Sequence, residues 1–524
     1  MPRAGDGGGE VTALPLVDAA AARRGDEAAV AAGDTWDELM ARAAGHLARG
    51  VLSLAGRGYG LKVAVLVGKG DNGGDGWAAA PLLTRAGAQV RVVAVDGTDV
   101  EASPATTAVR TAWLRSGGRT SAGTDDLEAA LTWCDVAVDC LLGTGVRGAP
   151  RGPAAEGTAA LLRAADRGTP VVACDVPSGV SVDDGSAGEG AVRADLTVTF
   201  GAHKRGLVLH PGAAHAGQVV VGDLGPRYDP GDTAWQALTA EGARPPTLAV
   251  DADKRARGVV LAVAGAVGTS GAAALTATGA LRAGAGLVTV AVPEPVRVEV
   301  AARTDAGVMV RGLAASDAGE VAGADDLPDL DGVDVVVAGP GLGHGPGAAA
   351  LVAALRAAAP RLVLDADALN VHRDDPAALA DHAGELVLTP HERELARIGA
   401  GQSGPDAWAH RVERVPELAE RYRATIVAKG PGTIVAAPDG RVWVCPEGGP
   451  ALGSGGTGDA LAGIFAAAIA RAGDVPLAVA RAVWWHAAAG RRCGADRAGR
   501  ATATDLLAAL PGVLGDLDQR RWPA

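Results

Sequence analysis

Residues 65–80 read VLVGKGDNGGDGWAAA. A β-branched apolar run ends, a glycine-rich turn follows, and an Ala-rich helix pattern begins. That passage aims backbone N–H groups and the positive end of a helix dipole at whatever lies over the turn, which suits a phosphate. The plainer reading is a tight strand–helix turn whose glycines supply positive φ. Asn72 and Asp75 sit inside the turn, where polar side chains compete with helix formation unless they have partners. Both readings stay open on these residues alone.

The same punctuation recurs on both sides. VRVVAVDG (90–97), DVAVDCLLGTG (135–145), TPVVACDVPSG (169–179), DLTVTFG (195–201) and GQVVVGDLG (217–225) are further strand candidates. PRYDPGDTAWQALTAEGARPPT (226–247) breaks the rhythm with prolines and polar residues. A second series then runs through GVVLAVAG (258–265), GLVTVAVP (286–293), VDVVVAGPG (333–341), RLVLDADAL (361–369), ELVLTP (385–390) and ATIVAKG (424–430). Continuous apolar strands alternating with helices predict parallel sheets covered on both faces, an α/β class. The expected organisation is a domain over 1–228, a linker over 229–245 and a second domain over 246–524.

Bulk properties narrow the function classes. The chain has 524 residues, 48% hydrophobic and 21% charged, so it has ample apolar surface to bury and two to four domains are expected. No apolar run reaches the roughly 20 residues needed to cross a bilayer. The opening MPRAGDGGGE has no apolar core, so no export signal and a cytoplasmic location are expected. A net charge of -13 argues against nonspecific binding to nucleic acid or anionic membranes. Five cysteines without a CxxC pair argue against a disulfide framework or a zinc site. Only five of the 48 basic residues are lysines, at 62, 69, 204, 254 and 429, and the only asparagines are Asn72 and Asn370. Arg cannot copy the compact charge of Lys, nor offer the acceptor of Asn, so these residues inside glycine-rich motifs stand out.

Strand-end carboxylates come next. Asp139 and Asp175 close apolar strands, and the carboxyl edge of an open α/β sheet is where ligands bind. Singly, each is as well explained as a helix cap. Several such loops on one edge, with Ser178 and Lys204 among them, favour a site.

Together GxGDNGGDG, DCLLGTG, DVPSG and TFGAHKRG resemble the NAD(P)H-hydrate epimerase family, a Rossmann-like three-layer fold, over roughly residues 12–225. The resemblance implies interconversion of the R and S forms of hydrated NADH or NADPH. It implies one potassium ion on Asn72, Asp139 and Ser178. It implies substrate contacts from Asp71, Asn72, Gly73, Gly74 and Asp75, from Gly143, Thr144, Gly145, Val146, Arg147, Gly148 and Ala149, and from Asp175. The family usually has Asn where Asp71 stands. The reaction moves a proton at a carbon–oxygen centre, so Asp175 is the expected acid/base.

In the second half, ALGSGGTGDALAGIFAAAIA (451–470) runs a Gly/Ser/Thr loop straight into an apolar helix. Its N–H groups suit an anion, and Asp459 at the helix start reads as either a cap or a functional carboxylate. Lys429 precedes a glycine turn at a strand end. With GSGGTGD, KGPGT, TPHxxE, GPGLG and GAAAL…RAGAGLVTV, residues 246–515 resemble the ribokinase-like ADP-dependent NAD(P)H-hydrate dehydratase family. TPHERE (389–394) departs from that family's TPHPGE. The resemblance implies substrate contacts from Ala272, Gly341, Gly343, His391 and Asp459. It implies nucleotide contacts from Lys429, Gly430, Pro431, Gly432, Thr433 and Gly458. Asp459 is the expected base, and Mg²⁺ is expected with ADP. Expected partners are hydrated NADH and NADPH and ADP, with no nucleic acid and no membrane, in a homo-oligomer. Two rivals remain: a ribokinase-like vitamin kinase using ATP, and a Rossmann-like ligand-sensing module without activity in the first half.

Overall fold

The computed structural model describes residues 12–145, 147–399, 410–495 and 499–519. The chain divides into two units: Pro15–Trp235, and Gln236–Ala524 together with the segment that ends at Leu14. The stretch 229–245, expected as a linker, is shared between them. It carries a strand over Trp235–Leu238, because Trp235, Ala237, Leu238 and Ala243 bury apolar surface inside an otherwise polar segment.

In the first unit, β1 (Ala13–Val17) is followed by α1 (Ala19–Ala31) and α2 (Trp36–Ala55). Helix α2 starts at a capping box between Thr35 and Glu38 and stops at Gly56 in the left-handed region. Then come β2 (Lys62–Val67), α3 (Asp71–Arg85), β3 (Gln89–Ala94), α4 (Pro104–Arg115), β4 (Thr120–Ala122), α5 (Leu127–Trp133), β5 (Val136–Cys140), α6 (Pro153–Asp166) and β6 (Val171–Cys174). The unit closes with β7 (Leu196–Phe200), β8 (His203–Lys204), α7 (Gly212–Ala216) and β9 (Gln218–Gly222). Seven strands form one sheet in the order β4-β3-β2-β5-β6-β7-β9, all pairs parallel.

The period-two geometry of a strand explains the layering. In β2, Val63, Val65 and Val67 pack with Leu47 and Val51 of α2 and Trp77 and Leu83 of α3. Ala64 and Leu66 face the other way, among Leu127 and Leu131 of α5 and Leu161 and Ala164 of α6. Each fully buried Val or Leu contributes roughly 1.5–3 kcal/mol, so a strand buried on both faces is fixed in register by its own apolarity.

The second unit contains β10 (Trp235–Leu238), β11 (Val259–Val263), α8 (Ser270–Arg282), β12 (Leu287–Pro293), α9 (Arg297–Arg303), β13 (Val308–Leu313), β14 (Val335–Ala338), α10 (Pro346–Ala358), β15 (Arg361–Leu364), α11 (Asp367–Asn370), β16 (Glu385–Leu388) and α12 (Glu392–Ile398). It continues with α13 (Arg411–Tyr422), β17 (Thr425–Ala428), β18 (Ile434–Ala436), β19 (Val442–Val444), α14 (Thr457–Ile469), α15 (Val475–Ala495) and α16 (Ala503–Asp518). Its strands run β13-β12-β11-β14-β15-β16-β17-β18-β19-β10, parallel from β13 to β17 and antiparallel at β17–β18 and β18–β19. Helix α14 lies against α8 almost backbone to backbone. A Cβ on Gly463 would sit 1.9 Å from the Thr276 carbonyl oxygen, and one on Gly279 would sit 2.5 Å from that of Ala460. Among the described residues no helix is long and apolar enough to cross a membrane.

Candidate active sites

Three glycines after β2 answer three separate demands. A Cβ on Gly68 would lie 2.1 Å from the Leu141 carbonyl oxygen, and one on Gly73 would lie 2.0 Å from that of Gly68. Gly70, the N-cap of α3, faces open space. None of these glycines has a positive φ, so the expected conformational reason for them does not hold: Gly68 and Gly73 are required because a Cβ would strike a backbone carbonyl, while Gly70 leaves the helix N-terminus approachable. Gly74 packs against Met40 and Thr106. Asp71 turns sideways: its Oδ1 accepts hydrogen bonds from Ser103 Oγ (2.5 Å) and Thr106 Oγ1 (3.2 Å), tying α3 to the start of α4.

Asn72 from the first turn of α3, Asp139 from the end of β5 and Ser178 from the loop after β6 meet around one peptide. Asn72 Nδ2 donates to the Leu142 carbonyl (2.9 Å), and the Leu142 N–H donates to Ser178 Oγ (2.9 Å). Ser178 donates through Oγ (2.6 Å) and its backbone N–H (2.8 Å) to the fully buried Asp139, which also accepts from the Leu141 N–H (3.2 Å). Burial pushes the Asp139 carboxyl up to about 6, against the hydrogen bonds from Ser178 and Leu141. Among the described residues no cationic side chain pairs with it. The Asp139 carboxylate, the Ser178 hydroxyl beside it and the amide oxygen that Asn72 carries are hard donors, the chemistry a monovalent cation requires.

The loop from Gly143 borders this cluster: a Cβ on Gly143 would lie 3.1 Å from that of Asn72. Thr144 is half-buried and Gly145, Arg147, Gly148 and Ala149 are exposed, forming the rim. Arg147 pairs with Asp183, and Ala149 sits under Gly188. Val146 lies outside the described residues.

Asp175 ends β6 with φ 62, a costly left-handed conformation for a residue with a Cβ, and such outliers gather at functional sites. Its Oδ1 accepts from Lys204 Nζ (2.7 Å), Thr199 Oγ1 (2.9 Å) and the Phe200 N–H (3.2 Å). The side chains of Lys204 and Asp175 are only 3% and 14% exposed, so the pair is shielded from solvent screening. Two more carboxyls share the field of this pair. Burial, then Asp175 and Asp71, hold Asp75 well above the usual carboxylate range. Burial, opposed by Lys204 and reinforced by Asp175, lifts Asp26 of α1 to about 6.

In the second unit the helix cap question is settled by register. The N-cap of α14 is Gly456 at φ 86, without a side-chain cap, and Asp459 is the third residue of the helix. Gly453 and Gly455 face open space. Lys429 reaches the same spot: a Cβ on Gly458 would lie 3.8 Å from its Nζ. Lys429 donates to Oδ1 of the buried Asp365, which also accepts from Thr389 Oγ1 (2.7 Å). Burial works against the Lys429 charge, but Asp365, Glu394 and Asp459 outweigh it and raise its pKa. Asp459 is pushed up to about 6 by burial and by Asp365, with Lys429 opposing.

The remaining residues line up around this centre. Gly430 (φ 156) and Gly432 (φ 66) make the turn after Lys429, closed by Thr433 Oγ1 donating to the Gly430 carbonyl (2.8 Å). Pro431 accepts through its carbonyl from the buried Arg411 (3.0 Å). Gly341 (φ 64) brings the GPGLG turn onto Ala272, with its notional Cβ 3.1 Å from that of Ala272. Asp367 holds the Gly343 N–H (3.0 Å). His391 is the N-cap of α12. Its Nδ1 accepts from the N–H groups of Arg393 (3.0 Å) and Glu394 (3.4 Å), and Glu394 returns a bond to the His391 N–H (2.8 Å). This capping box does the turn's work without the Pro and Gly of TPHPGE. Burial lowers the His391 pKa and lifts Glu394 to about 7.

Sequence reasoning left Asp26, Lys204, Asp365 and Glu394 without roles. The scarcity of lysine was the usable signal for Lys204. Asp26 sits mid-helix in an Ala/Arg-rich stretch and gives none.

Residues 36–206 match the family described as YjeF-related protein N-terminus, and residues 260–512 match the NAD(P)H-hydrate dehydratase family. The bifunctional NAD(P)H-hydrate repair enzyme Nnr of Gloeobacter violaceus is 38% identical over 96% of this chain and 99% of its own length. That of Moorella thermoacetica is 36% identical over 87% of this chain and 88% of its own. The ADP/ATP-dependent NAD(P)H-hydrate dehydratase structure from Bacillus subtilis, co-crystallised with ATP/Mg²⁺, is 27% identical over 53% of this chain and 97% of that one, with a TM-score of 0.46. With similarity to whole two-part enzymes running across both units, the chain belongs to the bifunctional NAD(P)H-hydrate repair enzyme family.

Proposed function

We propose that the first unit interconverts the R and S forms of hydrated NADH and NADPH, and that the second dehydrates the S form at the expense of ADP. The observation that carries this reading is that each unit gathers its own set of strand-end residues, Asp175 with Lys204 in one and Asp459 with Lys429 in the other.

Epimerisation breaks the carbon–oxygen bond at the hydroxyl-bearing ring carbon and remakes it on the other face. The departing oxygen takes a proton, the ring nitrogen lone pair supports the cation left behind, and a water adds back while losing a proton. Asp175, oriented by Lys204, Thr199 and the Phe200 N–H, is the proton-transfer group. Burial and the neighbouring Asp175 and Asp71 favour the neutral form of Asp75, which makes it a second carboxyl able to serve in proton transfer. Asn72, Asp139 and Ser178 would hold a potassium ion, which would supply positive charge beside the substrate oxygens. The substrate contacts come from 71–75 and from the loop 143–149.

Dehydration needs a better leaving group than hydroxide. The ring hydroxyl attacks the terminal phosphorus of ADP, AMP departs, and phosphate then leaves the ring carbon as a proton leaves its neighbour, restoring the dihydropyridine. Asp459 accepts the hydroxyl proton. Lys429 and the N–H groups of the 453–458 loop stabilise charge on the moving phosphoryl group. The turn 430–433 holds the nucleotide, and Ala272, Gly341, Gly343 and His391 line the hydrate. Mg²⁺ accompanying ADP would supply further charge neutralisation.

The vitamin-kinase and sensing-module readings receive no support from relatives that match both units. The test is an equimolar mixture of the R and S epimers of hydrated NADH with ADP and the full chain. Complete conversion to NADH, faster than spontaneous epimerisation allows, is expected. Conversion stalling at half without the first unit's activity, or turnover of a vitamin with ATP instead, would overturn the proposal.

A further inference from the structure

The first unit's strand order places one carboxylate where none of the chemistry above uses it. From the central β2 the chain steps outward to β3 and β4, then returns to β5 on the other side. The reversal between β2 and β5 opens a crevice at the carboxyl ends of the strands, the position where open α/β sheets of this order take dinucleotides. The turn that enters it, Gly68-Lys69-Gly70-Asp71-Asn72-Gly73, has the G-x-G-x-x-G spacing. Its three glycines meet that motif's three physical requirements one for one: a close crossing at Gly68, an open approach at Gly70 and helix-to-turn packing at Gly73.

Asp96 lies just past the end of β3, beside this turn. Its Oδ2 accepts the Lys69 N–H (3.2 Å). Its Oδ1 accepts no hydrogen bond among the described residues, and the residue is half-buried. A diphosphate over Gly70 would set the adjoining ribose against this free oxygen. An unsubstituted ribose offers it a hydroxyl donor; a 2′-phosphate would bring roughly 1.5 to 2 negative charges against it. Lys69 is exposed, and its charge is screened by solvent.

We infer that Asp96 is the specificity-determining residue of the first unit, accepting the 2′-hydroxyl of the adenosine ribose, so that this unit favours hydrated NADH over hydrated NADPH. The inference rests on the epimerase reading for its substrate.

The test measures epimerisation kcat/KM of the full chain, without ADP, on both hydrates. The native chain is expected to favour hydrated NADH by about 10- to 100-fold, the worth of one charge-assisted hydrogen bond. Asp96→Asn keeps an acceptor for the Lys69 N–H but not the charge, and is expected to shrink that ratio at least tenfold, mostly through KM for hydrated NADPH. Asp96→Ala is expected to lose hydrated NADH affinity as well. Equal use of the two substrates by the native chain, or an unchanged ratio in Asp96→Asn, overturns the inference while leaving the epimerase intact. A parallel calorimetric titration with ADP-ribose and 2′-phospho-ADP-ribose needs no turnover. The second unit contributes equally to native and variant chains, so the difference reports Asp96 even if no epimerisation is found, a result that would overturn the epimerase reading alone. Identical discrimination by both chains in that titration also overturns the inference.

Discussion

Asp459→Asn separates a catalytic carboxylate from a structural one by moving activity and stability in opposite directions. Asp459 is the third residue of α14, whose N-cap is Gly456, so the amide loses no cap bond. Loss of a general base costs ~10²–10⁴-fold in rate. Stability follows from the pKa displacement from an ordinary 3.8 to about 6, which corresponds to ~3 kcal/mol against the ionised form. Asp459 is half-buried, and solvent screening reduces this to about 1–2 kcal/mol. Because the folded pKa is raised, the native carboxyl favours folding below about pH 4 and loses that contribution as pH rises through about 6. The Asn variant carries no such loss, so its advantage is absent near pH 4 and full at pH 7. Turnover is followed by the near-ultraviolet absorbance of the dihydropyridine formed from the S hydrate with ADP, ADP affinity by calorimetry, and stability by urea unfolding at the two pH values. ADP affinity is expected to hold, since the anion site is built from backbone N–H groups and Lys429. Near-native turnover, or a variant less stable at pH 7 than the native chain, refutes the reasoning.

Dehydratase kcat/KM is expected to fall tenfold per pH unit below about 6, where Asp459 takes up its proton, and a plateau continuing to pH 4 would contradict its role as base. Lys204→Met leaves the shielded Asp175 without its cation and is expected to cost the first unit ~3–5 kcal/mol in unfolding experiments as well as its epimerisation. Adding Asp175→Asn to that variant should restore much of the stability and none of the activity. Asn72→Ala should abolish epimerisation, measured by chromatographic epimer ratio, and leave dehydration of the pure S form unchanged; an anomalous-scattering map in potassium buffer should show a cation at Asn72, Asp139 and Ser178 in the native chain only.

What the sequence determined by itself was whatever depends on short spans. Runs such as VAVLV and VDVVVA are apolar on both sides of the pleat, so they specify strands covered on two faces without reference to anything distant. Gly-rich turns leading into Ala/Leu helices fixed where ligands could approach, because φ above zero and the lack of a Cβ are local needs. Tertiary structure alone decided which strand ends became neighbours. Lys204 reaches Asp175 across 29 residues, and Lys429 reaches Asp365 across 64, because β6 lies beside β7 and the strands β15, β16 and β17 run side by side. The same is true of helix register: Asp459 read as either a cap or a functional carboxylate until Gly456 took the cap position two residues before Gly458. His391 and Glu394 became a capping box, which the TPHxxE spacing alone did not specify, and Asp71 found its hydroxyl partners at the start of α4. Asp96 and Asp26 were indistinguishable in sequence from solvent-facing acids. A charge's meaning depends on its distance to other charges and to water, and chain position fixes neither until the sheet has ordered its strands.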